Sequence, residues 1–162
     1  MSVTFDRLPE SAAEISALAD GAPGNPEHTC ALFLGALNLY INDKDAGIEA
    51  VNLLRGPRPL SNYEIQFIRD RLMDKQYLPL AYFDGATPEN NYTPSEPYTL
   101  RLYADPRPQD CEAGYLRLYL KTAGADSPRP IKLRQKGDEW FLWEYSGILS
   151  GIRIPVSEDP WA

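Results

Sequence analysis

One histidine and two cysteines are all that this 162-residue chain holds of the residue types on which most nucleophilic and zinc sites depend. A Ser–His relay needs a base beside its nucleophile, and His28 falls in the first turn of an expected helix, where an imidazole helps to cap it. Asp126-Ser127, in GADSPRP, is the other triad-like fragment, and Asp-Ser-Pro more simply makes a turn. Cys30 lies in an apolar helical run and Cys111 in a Pro/Asp-rich loop, a placement that suits neither a zinc knuckle nor a redox pair. Both are read as reduced thiols. Neither GxGxxG nor the phosphate-binding GxxxxGK(S/T) pattern occurs, and the acids are not spaced as in a calcium loop, so no metal or cofactor is expected. No stretch approaches the ~20 apolar residues that span a bilayer, and MSVTFDRLPE lacks the basic and apolar regions of a signal peptide. The expectation is a cytoplasmic protein with no membrane contact. Surplus positive charge is also missing: a net charge of −7 argues against nucleic acid as a partner, because phosphate neutralisation needs a positive surface.

The chain has the size of one domain able to bury a core without staples, and residues 1–162 are expected to form it. Ser11 and Glu14 have capping-box spacing, which predicts a short lid-like helix over 9–20. Asn25 as cap, Pro26 in the first turn and Glu27 at the positive end of the dipole start a central helix over 26–41, apolar on nearly every face. Ile48, Val51 and Leu54 share one face of a third helix over 44–55, ended by Gly56-Pro57. Ser61 with Glu64 opens a fourth, over 62–74. The segment Pro79–Pro97 is rich in proline and aromatics, so it is expected to be an ordered, packed loop with at most a short strand at Tyr77–Phe83.

From Tyr98 the period changes to two. YTLRLYA, GYLRLYLKT, PIKLRQK and WFLWEYSG read as four sequential antiparallel strands, the last two joined by a turn at Lys136-Gly137-Asp138-Glu139. Helices followed by strands give an α+β class, N-terminal helices on a curved antiparallel sheet of four to five strands. Its leucine face would cover the helices. The other face would display Arg101, Tyr103, Arg117, Tyr119, Lys121, Lys132 and Arg134. Between Tyr98 and Lys136 the charge is +4, which leaves −11 for the rest. This element order resembles the nuclear-transport-factor-2-like cone fold.

Several clusters are candidate contacts for a ligand or partner. Arg69-Asp70-Arg71 could clamp an anion, although pairing of one arginine with an acid to anchor the long loop is the simpler reading. Asn90, Asn91 and Tyr92 could meet a ligand or stabilise their own loop. Asp126, Ser127 and Arg129 belong to GADSPRP. Arg117, Tyr119 and Arg134 lie on the basic sheet face, most simply a solvated face or one neutralised by the chain's own acids; a protein partner or a second copy is the functional alternative, and a single-stranded nucleic acid the least favoured. Trp161, near the end of GIRIPVSEDPWA, is expected to dock back on the domain, with presentation to a partner as the alternative.

The phrases LLRGPRPLSNYEIQFIRDRL, YFDGATPENNYTP, GADSPRPIKLRQKGDEWFLWEY and GIRIPVSEDPWA together resemble an uncharacterised bacterial family, a domain of unknown function. That resemblance implies no catalytic residue. The leading functional expectation is therefore a non-enzymatic binding or protein-interaction domain. Its alternative is a small-ligand or enzymatic domain with a pocket between helices and sheet, Asp70 or Asp84 supplying an acid or base.

Overall fold

The computed structural model describes residues 1–22 and 24–162. Its longest element is the central helix α2, Pro26–Asn42, with α1 before it at Ala12–Gly21 and α3 and α4 after it at Lys44–Arg55 and Asn62–Leu72. The caps explain these limits. Asn25 Oδ1 accepts the His28 backbone N–H at 3.1 Å, Pro26 occupies a first-turn position, and every residue from Cys30 to Leu37 is buried. A single residue, Asp43, then joins two helices. Its N–H closes α2 on the Leu39 carbonyl at 2.9 Å, while its carboxylate accepts the Ala46 N–H at 3.1 Å to open α3. So tight a corner holds α2 and α3 side by side, with Gly47 directly against the Tyr40 backbone. At α4 both halves of the Ser61/Glu64 capping box are made.

The lid-like first helix begins at Ala12, three residues later than its pattern suggested, because Pro9 and Glu10 remain outside the capped turn. It also belongs to the core more than a lid would: Ile15 is fully buried against the other helices. The fourth helix stops at Leu72, since Asp74 takes a positive φ of 59°.

The strands divide between two open antiparallel sheets rather than one. YTLRLYA is not a single strand. Tyr98–Arg101 (β2) pairs with an N-terminal strand, Ser2–Phe5 (β1), while Tyr103–Ala104 (β3) begins a meander with Tyr115–Leu120 (β4), Arg129–Lys136 (β5) and Glu139–Glu144 (β6). Leu102 is the crossover, its N–H donated to the Met1 carbonyl at 2.8 Å. The class is α+β, but the division lends no weight to the cone likeness.

Leu118, Leu120, Ile131, Leu133 and Leu142 face inward as the alternation required, and each fully buried one stabilises the fold by about 1.5–3 kcal/mol. The hairpin turn is Gly137-Asp138, with Gly137 at φ 61°. At Tyr77–Phe83 a 3-10 helix, Leu78–Tyr82, replaces the expected strand; only Phe83 bridges to Leu100. Proline at its start and four buried side chains favour the turn over an edge strand. The loop that follows is packed, with Tyr82 donating its hydroxyl to the Ile148 carbonyl and Tyr92 stacked on Tyr77 at 5.2 Å.

Candidate functional site

Arg55, the last residue of α3, is 2% exposed and makes the frame of the most distinctive surface. Its Nε donates to the Arg58 carbonyl at 2.9 Å, one Nη to the Trp143 carbonyl at 3.2 Å, and the other pairs with the Glu64 carboxylate at 3.1 Å. The Tyr145 hydroxyl donates to the same carboxylate at 3.3 Å. A buried guanidinium with all three arms engaged ties the 56–59 turn, β6 and the start of α4 into one unit. Burial would raise the Glu64 carboxyl, but hydrogen bonds at Ser61 and the Arg55 charge outweigh it, so Glu64 is held below the usual carboxylate range. Burial and the nearby Glu64 charge push the Tyr145 hydroxyl up, so it stays a donor.

On this frame β6 carries a bulge at Trp143. Lys132 stands opposite Glu144 and Leu133 opposite Leu142, which leaves Trp143 as the extra residue on β6. Next to the inward-facing Leu142, its indole lies on the outer face of the sheet, beside Tyr115 and Arg134. Arg58 and Arg134 both place their guanidinium carbons 4.7 Å from its ring centre. Tyr115 meets Trp143 edge-on at 5.7 Å, and Lys132 and Arg134 lie 5.0 and 5.3 Å from the Tyr115 ring centre. Among the described residues, none of the ion pairs involves Arg58, Lys132, Arg134 or Lys136. Beside them runs a groove of about 400 Å³, walled by Arg58, Arg134, Lys136, Phe141 and Trp143. Cations already spread over aromatic faces keep their remaining N–H donors for an anion, and the rings supply apolar contact.

Of the residues singled out in the sequence, Arg134 lies in this cluster. Arg117 and Tyr119 are on the same sheet farther along, and Arg117 is engaged: its Nε meets Asp105 at 3.1 Å, and its guanidinium carbon sits 5.9 Å from the Tyr119 ring. Asp105 is held below the ordinary carboxylate range: burial would raise it, but the Arg107 backbone N–H and the Arg117 guanidinium prevail.

Two other sets converge on the segment 151–157, away from the groove. Asn90 caps its own turn and donates to the Gly85 and Thr93 carbonyls; Asn91 accepts the Ser157 hydroxyl at 2.5 Å; Tyr92 donates its hydroxyl to the Arg153 carbonyl at 2.5 Å. Asp126 pairs with Arg153 at 3.0 Å, and Arg129 donates to the Gly151 carbonyl at 3.1 Å. Ser127 is exposed beside them. The characteristic loop phrases thus clasp the segment that leads to the C-terminal residues.

Arg69, Asp70 and Arg71 are exposed on α4, and the expected anchor to the long loop is not formed. Arg71 lies over Phe67 instead, 5.0 Å from its ring centre, and Asp70 accepts from Gln66 at 2.8 Å, one helical turn away. Trp161 also departs from expectation. It is 92% exposed, in a tight turn where its backbone N–H is donated to Asp159 Oδ1 at 2.8 Å.

A cavity of about 320 Å³ between α1, α2, α3 and the start of β6 is lined by Ser16, Asp20 and His28. No hydrogen bond joins these three side chains, and His28 Nδ1 is buried without a partner, so they form no proton relay. Neither Asp70 nor Asp84 lines it; Asp84 pairs with Arg101 at 2.8 Å. No described helix is long and apolar enough to cross a membrane, and no His/Cys/Asp/Glu group among the described residues could hold a metal ion.

Fold and surface together define an α+β protein carrying an open cation–aromatic groove on the outer face of a four-stranded meander. The chain belongs to the family described as a domain of unknown function (DUF6935), whose model matches residues 7–156. No curated protein and no solved structure matches it.

Proposed function

We propose that this protein is a binding domain, and that its working surface is the groove of Arg58, Arg134, Lys136, Phe141 and Trp143, which receives an acidic segment of a protein partner. One observation carries the reading: two guanidiniums share a single indole, with no carboxylate paired to either, on a molecule whose net charge is −7. Like charges held together in this way repel, and a carboxylate placed between them would relieve that repulsion and add bidentate hydrogen bonds. Asn90, Asn91, Tyr92, Asp126 and Arg129, by contrast, are engaged in contacts within the chain. The acidic remainder of the surface disfavours a long polyanion, which leaves a short acidic segment as the matching ligand.

The test is fluorescence anisotropy of a labelled Glu-rich peptide titrated with the protein at low and at physiological salt. Binding should weaken with salt, and Arg58→Glu with Arg134→Glu should abolish it. Lys44→Glu with Arg69→Glu, an equal charge change elsewhere on the surface, should leave most of it. Equal losses in the two double variants, or tighter binding of a single-stranded oligonucleotide than of the peptide, would refute the reading.

A further inference from the structure

The groove calls for a ligand that is acidic and aromatic at once, and the chain itself presents one. Residues 156–162 read VSEDPWA, with Glu158 exposed and Trp161 92% exposed. Unlike a frayed end, this segment is held at its base. Ser157 bonds Asn91 at 2.5 Å, the Glu158 N–H meets the Pro155 carbonyl at 2.9 Å, and the Trp161 N–H meets Asp159 at 2.8 Å. Clasped so, the segment loses little further freedom on binding, which is the main cost of recruiting a flexible peptide. An exposed indole is also the kind of side chain that anchors interfaces. Its own groove is not its seat, since the ring is solvated.

We infer that the acidic segment recognised by the groove is residues 156–162 of a second copy of this chain, with Trp161 against Phe141 and Trp143 and the Glu158 and Asp159 carboxylates between Arg58, Arg134 and Lys136. This inference rests on the groove reading proposed above and names its partner. Each copy carries one groove and one such segment on different parts of its surface. Copies therefore associate either as a closed pair exchanging both contacts or head to tail. In both cases the contact is charge-assisted and weakens with salt.

Sedimentation velocity over a range of concentrations, with the full chain, tests this. The wild type should gain mass with concentration at low salt. Trp161→Ala, whose side chain is exposed and so leaves the fold intact, should remain monomeric, as should Arg58→Glu with Arg134→Glu. The decisive measurement mixes the two, because one retains only its groove and the other only its segment: the mixture should form a species of two copies and no larger. A synthetic 156–162 peptide should bind the Trp161→Ala protein, and at least about tenfold more weakly the groove variant. A wild type that stays monomeric, a Trp161→Ala protein that still associates, or a peptide that fails to bind would each overturn self-recognition. If that peptide fails while the Glu-rich probe still binds the groove, self-recognition alone falls; if both fail, the groove reading falls with it.

Discussion

Gly47 gives a sharp test of how the helical layer is assembled. In an exposed helix, replacing glycine by alanine stabilises by about 1 kcal/mol, because the chain loses less freedom on folding. Here a Cβ at position 47 would stand 2.4 Å from the Cα and Cβ of Tyr40 and 2.7 Å from its backbone nitrogen. An ordinary contact needs at least 3.4 Å, so α3 must retreat from α2 by about 1 Å. Tyr40 cannot yield instead, because it sits within a helix buried on nearly every side and the atoms in the way are largely backbone. The one-residue Asp43 corner leaves little slack for the shift. Overpacking of this kind costs about 1–3 kcal/mol, at the upper end when the neighbour is backbone. Set against the propensity gain, Gly47→Ala should destabilise by about 1–2 kcal/mol. With an m-value of about 2 kcal/mol/M, the urea midpoint should fall by roughly 0.5–1 M. Gly21→Ala is the control, since nothing lies within 4 Å of its added Cβ and its φ is not positive; its midpoint should hold or rise. If Gly47→Ala raised the midpoint as Gly21→Ala does, the close α2–α3 approach would be refuted.

Three further outcomes follow from the same geometry. Arg55→Met leaves the Glu64 carboxylate and two carbonyls without their donor, and should cost about 3–5 kcal/mol, read as a lowered thermal midpoint; a change below 1 kcal/mol would show that the network is not needed. Burial holds the His28 pKa below its ordinary value, so the unfolded chain binds that proton more readily. The stability it affects is complete above about pH 6.5 and is lost as pH falls through that value toward the folded pKa, and urea midpoints at pH 7.5 and 5.5 should differ less in His28→Gln than in the wild type. Tyr92→Phe removes the bond to the Arg153 carbonyl, which should cost about 1 kcal/mol and speed amide exchange over residues 151–158; unchanged exchange there would mean the loop does not hold that segment.

The helices were legible because their ends carry chemistry that acts over three or four residues. Asn25-Pro26-Glu27, Ser61 with Glu64, and Gly56-Pro57 each fix a boundary through a bond or a forbidden conformation that a local reading can see. The alternating leucines were legible for the same reason, since a period of two is local. The partition of YTLRLYA was not. Whether Tyr98–Arg101 pairs with Ser2–Phe5 or continues along β4 is decided by residues nearly a hundred positions away, and Ser2–Phe5 is too short to show a period. Trp161 departs from expectation because burial of large aromatics is a tendency of the core as a whole and specifies no seat for any one ring.

The groove shows most clearly where local reading stops. Strand alternation places Arg134 on a basic sheet face, but nothing local ties it to Arg58, which directly follows the Gly56-Pro57 stop, or to Trp143 on the next strand. What joins them is the bulge at Trp143 and the buried Arg55 that carries the 56–59 turn onto β6, and neither leaves a pattern in the sequence. Each device is costly taken alone: a bulge breaks the ladder, and a buried guanidinium must be desolvated. Packing would be served as well by apolar side chains replacing the whole Arg55–Glu64 pair and by an unbroken ladder. Together, however, they hold two cations on one indole beside an open groove, where the attraction of each cation for the ring is opposed by their mutual repulsion. Two guanidiniums gathered on one ring without a carboxylate are the observation on which the proposed binding surface rests.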